Sequence, residues 1–278
     1  MKQMGILLAL LLLTGCGAPA ADVEEPGPAA WLETEESPVI SAPAVVTEGR
    51  EPEQAYELPQ EIQWMAGWDQ TEEPVALLAL TEDAALYGLA GEEDRVLVRW
   101  GDALAEFDWV YQTPQSVAPR LWQVDVDGDG EEELAAVCYY GGGTGASIEQ
   151  LHIVEKHGDG TLTDFRLLED VLCADALTEV LRLETAGERT FAILGRELVE
   201  ITDFLEDAPP PQGIVSGDII AFDVDPHGSP LHFSGSAWLE GEGYPPMAWY
   251  AVDLSAQVLY EDGTFTLSGL HLNSLDET

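Results

Sequence analysis

Positive charge is what this chain has least of: 10 Lys and Arg stand against 53 Asp and Glu in 278 residues, for a formal net charge of −43. Lys2 and Lys156 are its only lysines. A surface this negative repels polyphosphates and anionic headgroups, which excludes nucleic acid as a partner and argues against direct adsorption to acidic lipid. Cations and basic proteins remain admissible. Cysteine is scarce too, with Cys16, Cys138 and Cys173 alone, so no disulfide framework organises the fold. Cys138 and Cys173 could pair in an oxidising compartment; alternatively Cys138, inside the apolar run Leu134-Ala-Ala-Val-Cys-Tyr-Tyr140, stays a buried thiol acting as a small hydrophobe.

Enzyme signatures with fixed spacing are also missing. There is no G-x-S-x-G nucleophile elbow and no Gly-Lys-Ser/Thr phosphate loop. Gly141-Gly-Gly143-Thr-Gly145-Ala146 fits the pattern G-x-G-x-x-A, but Ser147 to Val154 does not read as the helix whose N-terminus would receive a pyrophosphate. His152, His157, His227, His232 and His271 show no helical zinc spacing. No apolar run approaches the roughly 20 residues that crossing a bilayer requires.

What is present begins near Lys2. Gly5 to Leu13 is apolar throughout and leads into Leu13-Thr14-Gly15-Cys16, with the dimensions of a signal peptide rather than of a membrane span. The tetrad resembles the lipobox of bacterial lipoproteins. That resemblance implies removal of residues 1–15, a thioether-linked lipid on Cys16, and a mature chain held by this lipid at the extracytoplasmic face of the bacterial cell membrane. Residues 16–60 are rich in Pro, Ala and Glu, with Arg50 as their only base and no apolar periodicity. Such a composition buries too little apolar surface to offset the entropy of ordering, so a disordered acidic tether is expected. As a flexible coil it would span on the order of 35 to 40 Å, with Trp31 and Pro38-Val39-Ile40 solvated.

After residue 60 strand signals dominate, and the expected class is α+β and β-rich, with antiparallel sheets and hairpins and few short helices. Val75 to Leu80 and Arg95 to Trp100 read as extended. Leu151 to Val154 and Leu162 to Leu167 flank Gly158-Asp159-Gly160, and Val180 to Glu184 faces Thr190 to Leu194 across Ala186-Gly187; both are hairpin signals. Helices are expected over Glu61 to Trp68 and Leu168 to Leu181. Residues 61–207 form one β-rich region and 212–278 a second, antiparallel one, either separate or part of the same domain. In the latter, Ile220, Phe222 and Val224 alternate with polar or small residues, and Asp262-Gly263 supplies a type I′ turn.

One constellation has definite chemistry: Asp125-Val-Asp127-Gly-Asp129-Gly130-Glu131-Glu-Glu133. Carboxylates at positions one, three and five, with Gly at six for the sharp turn, converge hard oxygen ligands as calcium needs; Glu131 would offer its backbone carbonyl and Glu133 a carboxylate. The bidentate Glu of an EF-hand is replaced by Ala136, and the flanks read as strands, not helices. The segment resembles the calcium loops of FG-GAP and VCBS-type repeats, which implies Asp125, Asp127, Asp129 and Glu133 as side-chain ligands of a structural calcium ion. No further copies occur, so the propeller of those families is not implied; Asp223-Val-Asp225 begins similarly but continues with Pro226 and reads as a turn. Phe107-Asp108-Trp109 before the loop and Leu151-His152-Ile153 after it make the whole chain similar to a group of Gram-positive lipoproteins. That resemblance implies location and metal loop, and no activity.

The functional expectation is a lipid-anchored extracytoplasmic protein that binds an envelope protein or a glycan. Two alternatives stay open. One is a secreted hydrolase whose site carries no sequence signature. The other is a carbohydrate-binding module, suggested by eight Trp residues, although Trp100, Trp109, Trp122 and Trp249 lie in strand-like segments where burial is the ordinary use of an aromatic.

Overall fold

The computed structural model describes residues 38–62, 75–89, 92–111, 117–143, 145–167, 176–205, 209–225, 231–244 and 250–275. In chain order its strands are β1 (Ile40–Pro43), β2 (Val45–Glu48), β3 (Val75–Leu80), β4 (Ala84–Leu89), β5 (Glu92–Trp100), β6 (Ala103–Phe107), β7 (Arg120–Val124) and β8 (Glu133–Gly143). They continue as β9 (Ala146–Lys156), β10 (Leu162–Arg166), β11 (Leu181–Ala186), β12 (Arg189–Leu194) and β13 (Glu197–Glu200). The last four are β14 (Gly213–Val224), β15 (Leu231–Glu240), β16 (Tyr250–Glu261) and β17 (Thr264–Ser274). One short helix, α1 (Ala176–Val180), and a 3₁₀ turn at Asp203–Leu205 complete the described elements, so the chain is β-rich with few helices.

Turn chemistry places the hairpins where the sequence puts them. At the β16–β17 tip Tyr260 faces Phe265, and Asp262 (φ 47°) and Gly263 (φ 73°) both take the left-handed conformation that a type I′ turn demands. The β9–β10 hairpin closes over Gly158-Asp159-Gly160, where Asp159 Oδ1 accepts from the Thr161 N–H at 3.0 Å. The β11–β12 pairing aligns Leu181 with Leu194 and Ala186 with Arg189. Of the two expected helices, the second survives as α1, with Leu177 buried and Leu181 already opening a strand; residues 168–175 lie outside the described residues. In the first, Ile62 makes an isolated parallel bridge to Leu77, and residues 63–68 lie outside the described residues.

Ten strands share the largest sheet, β3–β6 form a four-stranded meander, and β11–β13 a three-stranded one. The C-terminal strands β14–β17 are not a separate sheet: a short parallel contact, Ile219 with Ser147 and Ile220 with Ile148, joins β14 to β9. Strand β9 therefore has β8 along one edge, and β14 and β10 share the other.

The expected tether 16–60 needs correction from residue 40 onward. Ile40 is 7% exposed and pairs with Leu267, while Phe165 pairs with Val46. Between β1 and β2 the Ala44 N–H reaches the Gly263 carbonyl at 2.8 Å. Because β1 lies on β17 and β2 on β10, residues 40–48 connect the two ends of the ladder into a closed hydrogen-bonded circuit. The next residues are held as well. Arg50 makes a two-pronged contact with Asp108 (2.5 and 2.7 Å) and reaches Glu106 at 3.1 Å, and Tyr56 and Leu58 cover the outer face of the meander over Val75, Leu77 and Tyr87. Each of these strands has four residues, too few for periodicity to register; what orders them is edge pairing supplied by residues more than a hundred positions away. Residues 16–37 lie outside the described residues.

Strand β8 explains its own uninterrupted apolar run. Leu134, Ala136 and Cys138 face a core shared with the meander, where they meet Val96, Val98, Phe107 and Trp109. Ala135 and Val137 face the larger core, with Leu151, Ile153 and residues of β14–β17. A strand buried on both faces loses the alternation of a half-exposed one. Cys138 is a free thiol in this wall, and burial, with the charges of Asp164 and Glu149, pushes it up to about 12, so it stays protonated; Cys173 lies outside the described residues.

Candidate metal centre

The Asp-rich loop bridges β7 and β8, two antiparallel neighbours in which Val124 pairs with Glu133. It is wound by its own carboxylates. Asp125 accepts from the N–H groups of Gly128 (2.7 Å) and Gly130 (3.1 Å), Asp127 from Asp129 (3.0 Å), and Asp129 from Glu131 (2.7 Å). Gly128 (φ 82°) and Gly130 (φ 94°) take the left-handed backbone that lets the loop reverse twice within six residues. The strand-loop-strand setting matches the expectation and leaves Ala136, where an EF-hand would need its bidentate Glu, sealed in the core.

Carboxylate oxygens of Asp125, Asp127 and Glu133 lie within 4.8 Å of one another. Asp129 stands outside this group, exposed, with one oxygen engaged by the Glu131 amide. Glu131 is exposed as well. Glu133 differs from the others: only 5% exposed, it begins β8 and accepts the Val126 N–H at 2.8 Å. Burial, reinforced by the charges of Asp127, Asp129 and Asp125, raises its carboxyl to about 7. Hard oxygens converging from three side chains, one of them buried against like charge, are a donor set suited to calcium, which would relieve the repulsion it coordinates. Asp125, Asp127 and Glu133 would supply the core of that coordination. The second acidic stretch is different in kind: Asp223 belongs to strand β14, and residues 226–230 lie outside the described residues.

The loop is latched to the meander by contacts the sequence does not announce. Gln123 donates to Glu132 Oε2 at 2.6 Å, and the Thr81 hydroxyl donates to Gln123 Oε1 at 3.3 Å. On the far side of β7, Arg120 reaches Glu149 (2.6 Å) and the Phe222 carbonyl (2.8 Å), and the same Glu149 oxygen accepts the Phe222 N–H (2.9 Å), tying β7, β9 and β14 together. No local pattern foretells partners 29 to 102 positions apart.

Phe107, Trp109 and His152, which carry the wider resemblance, meet in one buried stack. Phe107 and Trp109 have centroids 5.3 Å apart, and Trp109 and His152 are 4.0 Å apart at 26°. Both Trp109 Nε1 (2.7 Å) and His152 Nδ1 (3.1 Å) bond to Asp164. The His–Asp arrangement has the form of a catalytic dyad, but His152 is 0% exposed and Asp164 is buried, so it serves the core.

Compared with protein-family models, curated proteins and solved structures, the chain matches none.

Proposed function

We propose that this chain is a lipid-anchored extracytoplasmic surface-interaction protein in which one Asp-rich loop holds a structural calcium ion. The observation that carries the reading is the convergence of Asp125, Asp127 and Glu133 at the junction of two strands. The lipobox-like Leu13-Thr14-Gly15-Cys16 supports attachment through lipid on Cys16 at the outer face of the bacterial cell membrane. The net charge of −43 supports a basic or neutral partner, an envelope protein or a glycan, and disfavours nucleic acid. Calcium here acts on architecture: it would pin the start of β8, the strand on which two cores rest.

The test is calorimetric titration of the calcium-freed chain. A single site with a dissociation constant on the order of 0.1 to 1 mM is expected for an extracellular module. Absence of heat and of any melting shift at millimolar calcium would overturn the metal assignment, and absence of label from a palmitate analogue would overturn the anchor.

A further inference from the structure

The metal loop borders a groove of about 510 Å³ that lies between the β3–β4 turn and β7. Among the described residues β7 pairs only with β8, and Leu121, Trp122 and Gln123 of β7 line this groove, so the strand edge that β8 leaves without a partner is the element beside it to which a further strand could add. We propose that this edge docks an extended, lysine- or arginine-bearing segment of a partner protein, added as a strand along Arg120–Val124. The proposal deepens the surface-interaction reading and rests on it, but does not depend on the metal.

Charge selects the occupant. Glu82 and Asp83 on the turn and Glu132 on the loop are exposed carboxylates on the two sides of the groove, and among the described residues that line it none is Lys or Arg. The Gln123 amide donates to Glu132 and is itself met by Thr81, so the Glu132 side of the acidic rim is held in place before any ligand arrives. Leu80, half exposed at the lip, offers an apolar contact beside the charges. Strand addition uses these elements together: main-chain bonds give affinity, and alternate side chains of the incoming segment meet the rim. Trp122 also lines the groove, but a sugar would need its face. The Arg120 guanidinium lies 5.7 Å from that ring's centroid, and Trp122 packs against the larger core.

The test uses the full chain with a fluorescent peptide of alternating lysine and valine. Binding is expected, with slowed amide exchange at residues 120–124. Affinity should fall about tenfold when Glu82→Gln and Asp83→Asn are combined, and should be lost when the peptide's backbone nitrogens are methylated. Equal binding of the methylated peptide would reduce the effect to charge attraction and overturn strand addition. Unchanged affinity in the double variant, or no binding at all, would overturn the site, as would a chito-oligosaccharide that protects residues 120–124 where the peptide does not. Failure here leaves calcium titration and lipid labelling intact, whereas failure of those two leaves the peptide result intact, so the two readings fall separately.

Discussion

Trp109 and His152 stack 4.0 Å apart and both bond to the carboxylate of Asp164, so one acid partners two polar groups beside a core that is otherwise largely apolar. Asp164→Ala would strand the indole N–H and the imidazole Nδ1 without partners. The expected loss is about 2 to 4 kcal/mol, read by urea denaturation. Calcium affinity should stay as it was, which separates this core defect from damage to the loop.

The loop itself is tested by a pair of variants. Asp127→Ala should remove most of the calcium-induced stabilisation, which at ten times the dissociation constant is about 1.4 kcal/mol. Asp223→Ala, on a strand, should leave it intact. Equal loss in both would reduce the loop to an acidic turn. Melting temperature with and without calcium decides.

A pH dependence follows from Glu133. In the calcium-free fold its carboxyl sits at about 7, raised from 4.5 by burial and by neighbouring carboxylates. Between those values the folded chain holds a proton that the unfolded chain has released, so this group favours folding most at or below about pH 4.5 and progressively less as pH rises to about 7. Melting temperature in chelator should therefore carry a declining component across that window, absent from Glu133→Gln. Calcium, which requires the carboxylate, should bind more tightly as pH rises through the same range.

Truncation tests the strand that closes the ladder. A chain beginning at residue 38 should keep its melting temperature, whereas removal through residue 48 bares the edges of β17 and β10 and should produce aggregation, visible by light scattering. Ala42→Asp, at a buried position facing Phe265 in register, should act in the same direction as the longer deletion.

The anchor is tested by Cys16→Ser, which should shift the protein from the membrane fraction to the medium or leave it as uncleaved precursor, detected by fractionation and immunoblot.

Much of this architecture was legible because its causes are local. Asp262-Gly263 dictates a turn, Gly158-Asp159-Gly160 another, and the spacing of Asp125, Asp127 and Glu133 already contains the convergence seen in space. The strands at residues 40–48 were not legible, since Ile40 and Ala42 are ordered by Leu267 and Phe265 and not by their neighbours. The Asp164 junction escaped for the same reason: Trp109 and Asp164 are 55 positions apart. Asp129, by contrast, has the right spacing but lies outside the group that Asp125, Asp127 and Glu133 form, although all four carboxylates accept backbone amides of the loop, a difference of position that sequence spacing cannot rank.

Between Leu134 and Cys138, strand β8 gives its odd-numbered side chains to one core and its even-numbered ones to the other. A partition wall of this kind has a thermodynamic consequence, because neither layer can melt while the other stays intact: loosening Leu134 displaces Ala135, and with it the opposite room. The two cores should therefore vanish together in a single calorimetric peak, and an ion seated at the foot of that wall would act on both at once.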